Sequence, residues 1–129
     1  MPKKIMIIDD DIDLVEAMRI TLETDDYEVI DAQDGQKGLE ILKKEKPDLL
    51  ILDVMMGTLD EGFHVAYQIR NDEELKDIPI LMITAVGAQT GFEFDLQRDE
   101  DFLPVNEFIE KPVNPQILLD TVKRNLSIA

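Results

Sequence analysis

Five short, nearly apolar runs are spaced along this chain, and between them the apolar residues switch to helical spacing. Lys4 to Ile8, Tyr27 to Ala32, Leu49 to Leu52, Ile80 to Ile83 and Phe108 with Ile109 are the runs. Short apolar runs of this kind read as strands buried on both faces. Leu14, Ala17, Met18, Thr21 and Leu22 recur at helical spacing after the first run, up to about Thr24. Gly38, Leu39 and Leu42 mark a second helix closed near Pro47, and Val65, Ala66 and Ile69 a third. Ile117, Leu118, Thr121, Val122 and Leu126 mark a closing helix. Strands that alternate with helices imply right-handed crossovers and a parallel sheet covered on both faces. One segment breaks the alternation: between Thr84 and Phe108 the sequence carries two glycines, a proline and many acids, so a fourth crossing helix is expected to be short, displaced or mobile there.

The 129 residues are enough for one core, and 44% hydrophobic against 33% charged is a globular balance. A single domain over 1–129 is therefore expected. No apolar run approaches the ~20 residues that a membrane span needs, and acids follow the first run where a signal peptide would keep its apolar stretch. The expectation is a soluble, cytoplasmic chain. Without cysteine there is no disulfide framework and no thiolate metal site. Thirteen basic against 29 acidic residues give a net charge of -16, which repels a phosphate backbone and argues against direct nucleic-acid binding. The sequence stops at NLSIA with no linker or output module in view, so a stand-alone module is expected.

The apolar runs end in carboxylates. IMIIDDD closes the first with Asp9, Asp10 and Asp11, and LLILD closes the third with Asp53. Ligands of open parallel sheets bind beyond the carboxyl ends of the strands, where strand order reverses. If the first and third strands are neighbours, these acids converge. Two unit charges ~5 Å apart repel by roughly 3 kcal/mol at an effective dielectric of ~20, and a hard divalent cation removes the problem. Mg²⁺ suits the position because it takes oxygen ligands and leaves sites for water and phosphate oxygens. The plainer reading is a solvated loop in which one Asp caps a helix. For Asp11 alone the cap is favoured; for Asp9, Asp10 and Asp53 together the cation is. ILMITA then places the hydroxyl of Thr84 after the fourth run, and FIEKP places the ammonium of Lys111 after the fifth. Singly they are an ordinary cap and an ordinary ion-pair partner; together with the acids they make a phosphate-sized site.

With these residues in place the sequence resembles the receiver domain of two-component response regulators over essentially its whole length. IIDDD, LLILDVMM, MITA and FIEKP carry the likeness. The resemblance implies a flavodoxin-like, doubly wound α/β fold, with a five-stranded parallel sheet in the order 2-1-3-4-5 and helices on both faces. It implies Asp53 as the phosphoacceptor, Asp9 and Asp10 as the metal pair, and the Met55 carbonyl as a further Mg²⁺ ligand. Thr84 and Lys111 would hold the phosphoryl oxygens, and Phe108 would be the switch aromatic, for which plain core packing is the alternative. It also implies a cis Lys111–Pro112 peptide. The partners implied are a sensor histidine kinase or phosphotransfer protein and a downstream protein target, with a dimer formed on phosphorylation among the outcomes. The likeness is to a stand-alone regulator of the chemotaxis kind, a phosphoacceptor and no enzyme beyond its own phosphorylation and dephosphorylation.

Three departures stand out against the family. Gly57 replaces the proline that usually follows DVMM, GTLDEGF is one residue longer than the common loop, and the Thr84 to Lys111 interval is several residues longer than usual. Other readings are weaker. Asp9, Asp11 and Asp13 have EF-hand spacing, but Leu14 and Ile20 stand where that loop needs its glycine and its bidentate Glu. An aspartyl-phosphate phosphohydrolase would place an acid two residues beyond Asp53, where Met55 stands. A receiver-like module that binds without phosphorylation would have lost site residues, and none is lost. His64, the single histidine, falls in the third-helix pattern and reads as an ordinary surface residue.

Overall fold

The computed structural model describes residues 2–53, 61–84 and 105–128. Met55, Gly57, Val86 and the crossing segment after the fourth strand lie outside the described residues.

Five strands form one parallel sheet: β1 (Lys4–Ile8), β2 (Glu28–Ala32), β3 (Leu49–Asp53), β4 (Ile80–Thr84) and β5 (Glu107–Glu110). Their order is β2-β1-β3-β4-β5, as the resemblance implies. The described helices are α1 (Ile12–Thr24), α2 (Gly35–Glu45), α3 (Glu61–Arg70) and α4 (Pro115–Ile128).

The uninterrupted apolar runs follow from burial on both sides of the sheet. Side chains alternate across a strand, and here both sets are covered. Ile5, Ile7, Leu49 and Ile51 pack with Val15, Met18 and Leu22 of α1 and Leu118 and Val122 of α4. Met6, Ile8, Leu50 and Leu52 pack on the other face with Leu42 of α2 and Val65, Ala66 and Ile69 of α3. Each fully buried aliphatic side chain contributes about 1.5–3 kcal/mol relative to exposure, which makes the three central strands the anchor of the fold. Gly38 lets α2 lie close on β1, since a Cβ there would stand 2.9 Å from Cγ1 of Ile8.

Several elements extend beyond their sequence markers for local reasons. Helix α2 starts at Gly35, where the Asp34 carboxylate accepts the Lys37 N–H at 2.8 Å; the first turn holds no buried large side chain to signal it. Strands β3 and β4 run one residue further than the apolar runs, so that Asp53 and Thr84 are the last residues of their strands.

The register sets the site. Ile8 lies beside Leu52, so Asp9 and Asp53 follow it at the same level of the sheet. Asp53 is level with Ile83, and Thr84 with Glu110, so Lys111 leaves β5 at that end too.

Candidate functional site

Asp9 follows β1 with its backbone still tied to the sheet, its N–H donating to Ala32 O at 3.1 Å. The chain then turns into α1. Asp11 caps that helix, its carboxylate accepting the Leu14 N–H at 3.2 Å, and its own N–H donates to Oδ1 of Asp9 at 2.9 Å. The cap favoured for Asp11 from sequence is therefore present, and the same turn orients Asp9. The other oxygen, Oδ2 of Asp9, is buried with no hydrogen-bond partner.

Asp53 ends β3 at 2% exposure and Asp9 has 1%, while Asp10 is exposed. One carboxylate oxygen from each of the three lies within 4.8 Å of the others. At that separation two ionised carboxylates repel by roughly 3 kcal/mol at an effective dielectric of ~20. Lys111 relieves part of this, its Nζ standing 3.3 Å from Oδ2 of Asp53. Burial pushes the Asp9 carboxyl up to about 7, and the neighbouring Asp53 adds to the rise; the Asp11 N–H and the Lys111 charge oppose it. A proton on Asp9, or a cation between the acids, would relieve the remaining repulsion.

The donor set fits Mg²⁺. It is all oxygen, it carries a buried acceptor with no partner, and one of its acids faces solvent where the ion would keep its waters. Met55, whose carbonyl the resemblance adds to the set, lies outside the described residues.

Thr84 is buried at the end of β4, and its carbonyl accepts the Lys111 N–H at 2.7 Å. That bond brings the fifth strand's exit to the fourth strand's end, and the Lys111–Pro112 peptide is cis, as the resemblance implies. Phe108 is half-buried and packs on the α2 and α3 side of the sheet. It sits beside Met82, two residues below the level of Thr84, so its placement serves core packing as it stands. His64 is an exposed residue of α3. The turn at Asp11 that fixes Oδ1 of Asp9 is not legible in the sequence, where a backbone donor leaves no mark.

Comparison with known proteins gives a consistent picture. The family model described as the response regulator receiver domain matches residues 5–123. The alkaline phosphatase synthesis transcriptional regulatory protein PhoP of Bacillus subtilis is 36% identical over 123 residues, covering 95% of this chain and 48% of the relative. The chain thus spans about half the length of the curated relatives it matches. A putative response regulator from Chloroflexus aurantiacus superposes with a TM-score of 0.84 at 32% identity, over 98% of this chain and 99% of that one. The chemotaxis protein CheY4 of Vibrio cholerae gives a TM-score of 0.82 at 28% identity, over 97% and 99%.

Proposed function

The chain belongs to the response regulator receiver domain family, and from that premise we propose that it is a switch worked by phosphorylation of Asp53. The donor is a phosphohistidine of a sensor kinase or phosphotransfer protein. An oxygen of Asp53 attacks phosphorus in line, forming the O–P bond as the N–P bond to the imidazole breaks, and the leaving imidazole recovers its proton from solvent. The chemistry requires positioning and charge neutralisation more than covalent help.

Asp9, Asp10 and Asp53, with the Met55 carbonyl, would hold Mg²⁺, which supplies positive charge to the transferring phosphoryl oxygens. The Lys111 ammonium holds another of those oxygens, from its place 3.3 Å from Asp53 Oδ2. The Asp11 N–H occupies one oxygen of Asp9 and leaves the other, buried, for the ion. The Thr84 hydroxyl then moves onto the new phosphoryl group and vacates space that Phe108 takes up, which changes the partner surface around β5. A single receiver domain over 1–129, acting in the cytoplasm on a downstream protein, completes the reading; a dimer of phosphorylated chains is one form of output. Among the described residues no helix is long and apolar enough to cross a membrane.

The observation that carries the proposal is the buried Asp9 carboxylate, one oxygen of which has no hydrogen-bond partner, clustered with Asp10 and with the Asp53 that Lys111 reaches. The test is to incubate the chain with Mg²⁺ and acetyl phosphate and compare intact masses of wild type and Asp53→Asn. A phosphoryl gain in wild type alone is expected. Equal gain in both proteins removes Asp53 from the role.

A further inference from the structure

Among the described residues β5 is an edge strand of four residues, paired only with β4. Parallel neighbours are joined by long crossovers, which cannot fix the pairing to the residue as a tight hairpin turn does. The register nonetheless has to be exact. A slip by one residue sends every side chain to the opposite face and moves the strand by ~3.3 Å. In this chain it would exchange the faces of Phe108 and Ile109 and carry Lys111 away from Asp53.

The polar contacts that hold the register gather at the foot of the strand. Asn106 meets Ile80 twice: its N–H donates to Ile80 O at 2.8 Å, and its Oδ1 accepts the Ile80 N–H at 2.8 Å. The same Oδ1 accepts from Arg70 Nη2 at 2.9 Å. Arg70 at the end of α3 is fixed in turn, its Nη1 donating to Ile78 O at 2.6 Å and Lys76 O at 2.9 Å. The next residue, Glu107, is held by α4. Arg124 donates to it from Nε at 3.0 Å and Nη2 at 2.7 Å, and the buried Asn125 amide donates at 2.7 Å. Successive residues are thus gripped from helices packed on opposite faces of the sheet. A slipped register would break the Asn106–Arg70 and Glu107–Asn125 contacts together, leaving the buried Asn125 amide with Thr121 O as its acceptor.

We propose that Asn106, gripped by Arg70, and Glu107, gripped by Arg124 and Asn125, form a register lock whose purpose is to deliver Lys111 to Asp53. These are positioning residues; none touches the reacting atoms. The tie to phosphoryl transfer rests on the reading of Asp53 given above, but the lock itself does not, and the two are tested apart.

Amide hydrogen exchange on the full chain tests the lock without any phosphoryl chemistry. In Asn106→Leu, which keeps the size and removes the acceptor, the Lys111 amide bonded to Thr84 O should lose protection about tenfold or more, while the Leu50 amide bonded to Pro79 O keeps its own. Asn106→Asp supplies an acceptor to both Ile80 and Arg70 and should stay within about twofold of wild type. Retained protection at Lys111 in Asn106→Leu, or equal loss in Asn106→Asp, overturns the lock. Loss at Leu50 as large as at Lys111 overturns it as well, because the contacts would then be general stabilisers of the fold. A second arm follows phosphoryl gain from acetyl phosphate with Mg²⁺ in wild type, Asn106→Leu, Lys111→Met and the double variant. Asn106→Leu should slow the gain about tenfold, and it should add nothing once Lys111 is gone. Independent, multiplying losses overturn the route through Lys111. A wild type that gains no mass instead defeats the proposed function, with the exchange result still deciding the lock.

Discussion

The two ends of the sheet hold charge in opposite ways. At the amino end, Lys4 bonds Glu45 at 2.9 Å and reaches Glu28 at 3.5 Å, and its backbone N–H donates to Asp48 at 2.8 Å. Lys46 pairs with Glu74, and Arg124 with Glu107. At the carboxyl end, among the described residues, two nearly buried carboxylates and an exposed one face a single lysine. The titrations run in opposite directions too. Lys4 holds Glu45 below the usual carboxylate range and Arg124 does the same for Glu107, whereas Asp9 is pushed up. The acidic excess of this chain is therefore no guide to its site by itself. Burial of two carboxylates beside each other, with Lys111 at one of them, is what separates the carboxyl end from the solvated one.

That contrast can be broken in several places. The largest effect is expected at the metal. Asp10→Asn removes one ligand charge from an all-oxygen site and should weaken Mg²⁺ binding by roughly 10- to 100-fold, in line with the loss of one close charge pair; isothermal titration of the full chain measures it. Undiminished affinity would show that Asp10 stays outside the coordination sphere.

A smaller effect concerns the life of the phosphorylated state. In the family, polar side chains two residues after the phosphoacceptor and two after the threonine can orient the hydrolytic water, and here those positions are Met55 and Val86. Both lie outside the described residues. The phosphoryl group on Asp53 should be long-lived, and a Met55→Asn, Val86→Glu double variant should lose it several times faster. If decay is unchanged, side chains at these positions do not govern it.

The smallest effect belongs to the amino end. Exposed ion pairs gain little because water and salt screen them, so Lys4→Gln should leave the urea midpoint at neutral pH within measurement error. Because Glu45 titrates below its ordinary range, its small contribution is present at neutral pH and is lost as pH falls, so whatever difference Lys4→Gln makes should close on the acid side. A drop at neutral pH as large as a core truncation would erase the contrast between the ends.

The sequence made the carboxyl end legible because the signal is local: an apolar run that stops at an acid, a threonine or a lysine names the end of a buried strand. Asp9, Asp53, Thr84 and Lys111 are such residues, and parallel register brings them to one level. What stayed hidden depends on contacts between distant residues. Arg70 and Asn106 are 36 positions apart and each is unremarkable alone. The Asp11 N–H on Asp9 is a backbone bond, and the start of α2 lies under a glycine and polar residues with no apolar periodicity to mark it.

That Asp9 is held in a site built for a cation is tested by urea unfolding of wild type and Asp9→Asn across pH, without divalent ions and with saturating Mg²⁺. The Asp9 carboxyl titrates near 3.8 when unperturbed and at about 7 in the fold. A raised carboxylate favours the fold while protonated, so its contribution is complete below the unperturbed value and is lost as pH rises through the folded one. Without metal, Asp9→Asn should differ least from wild type near the acid limit and be more stable by on the order of 2–4 kcal/mol above neutrality. With Mg²⁺ the wild type should recover that difference and the variant should gain little. A stability difference that does not change with pH, or Mg²⁺ stabilisation equal in both proteins, would show that Asp9 is not part of a cation site.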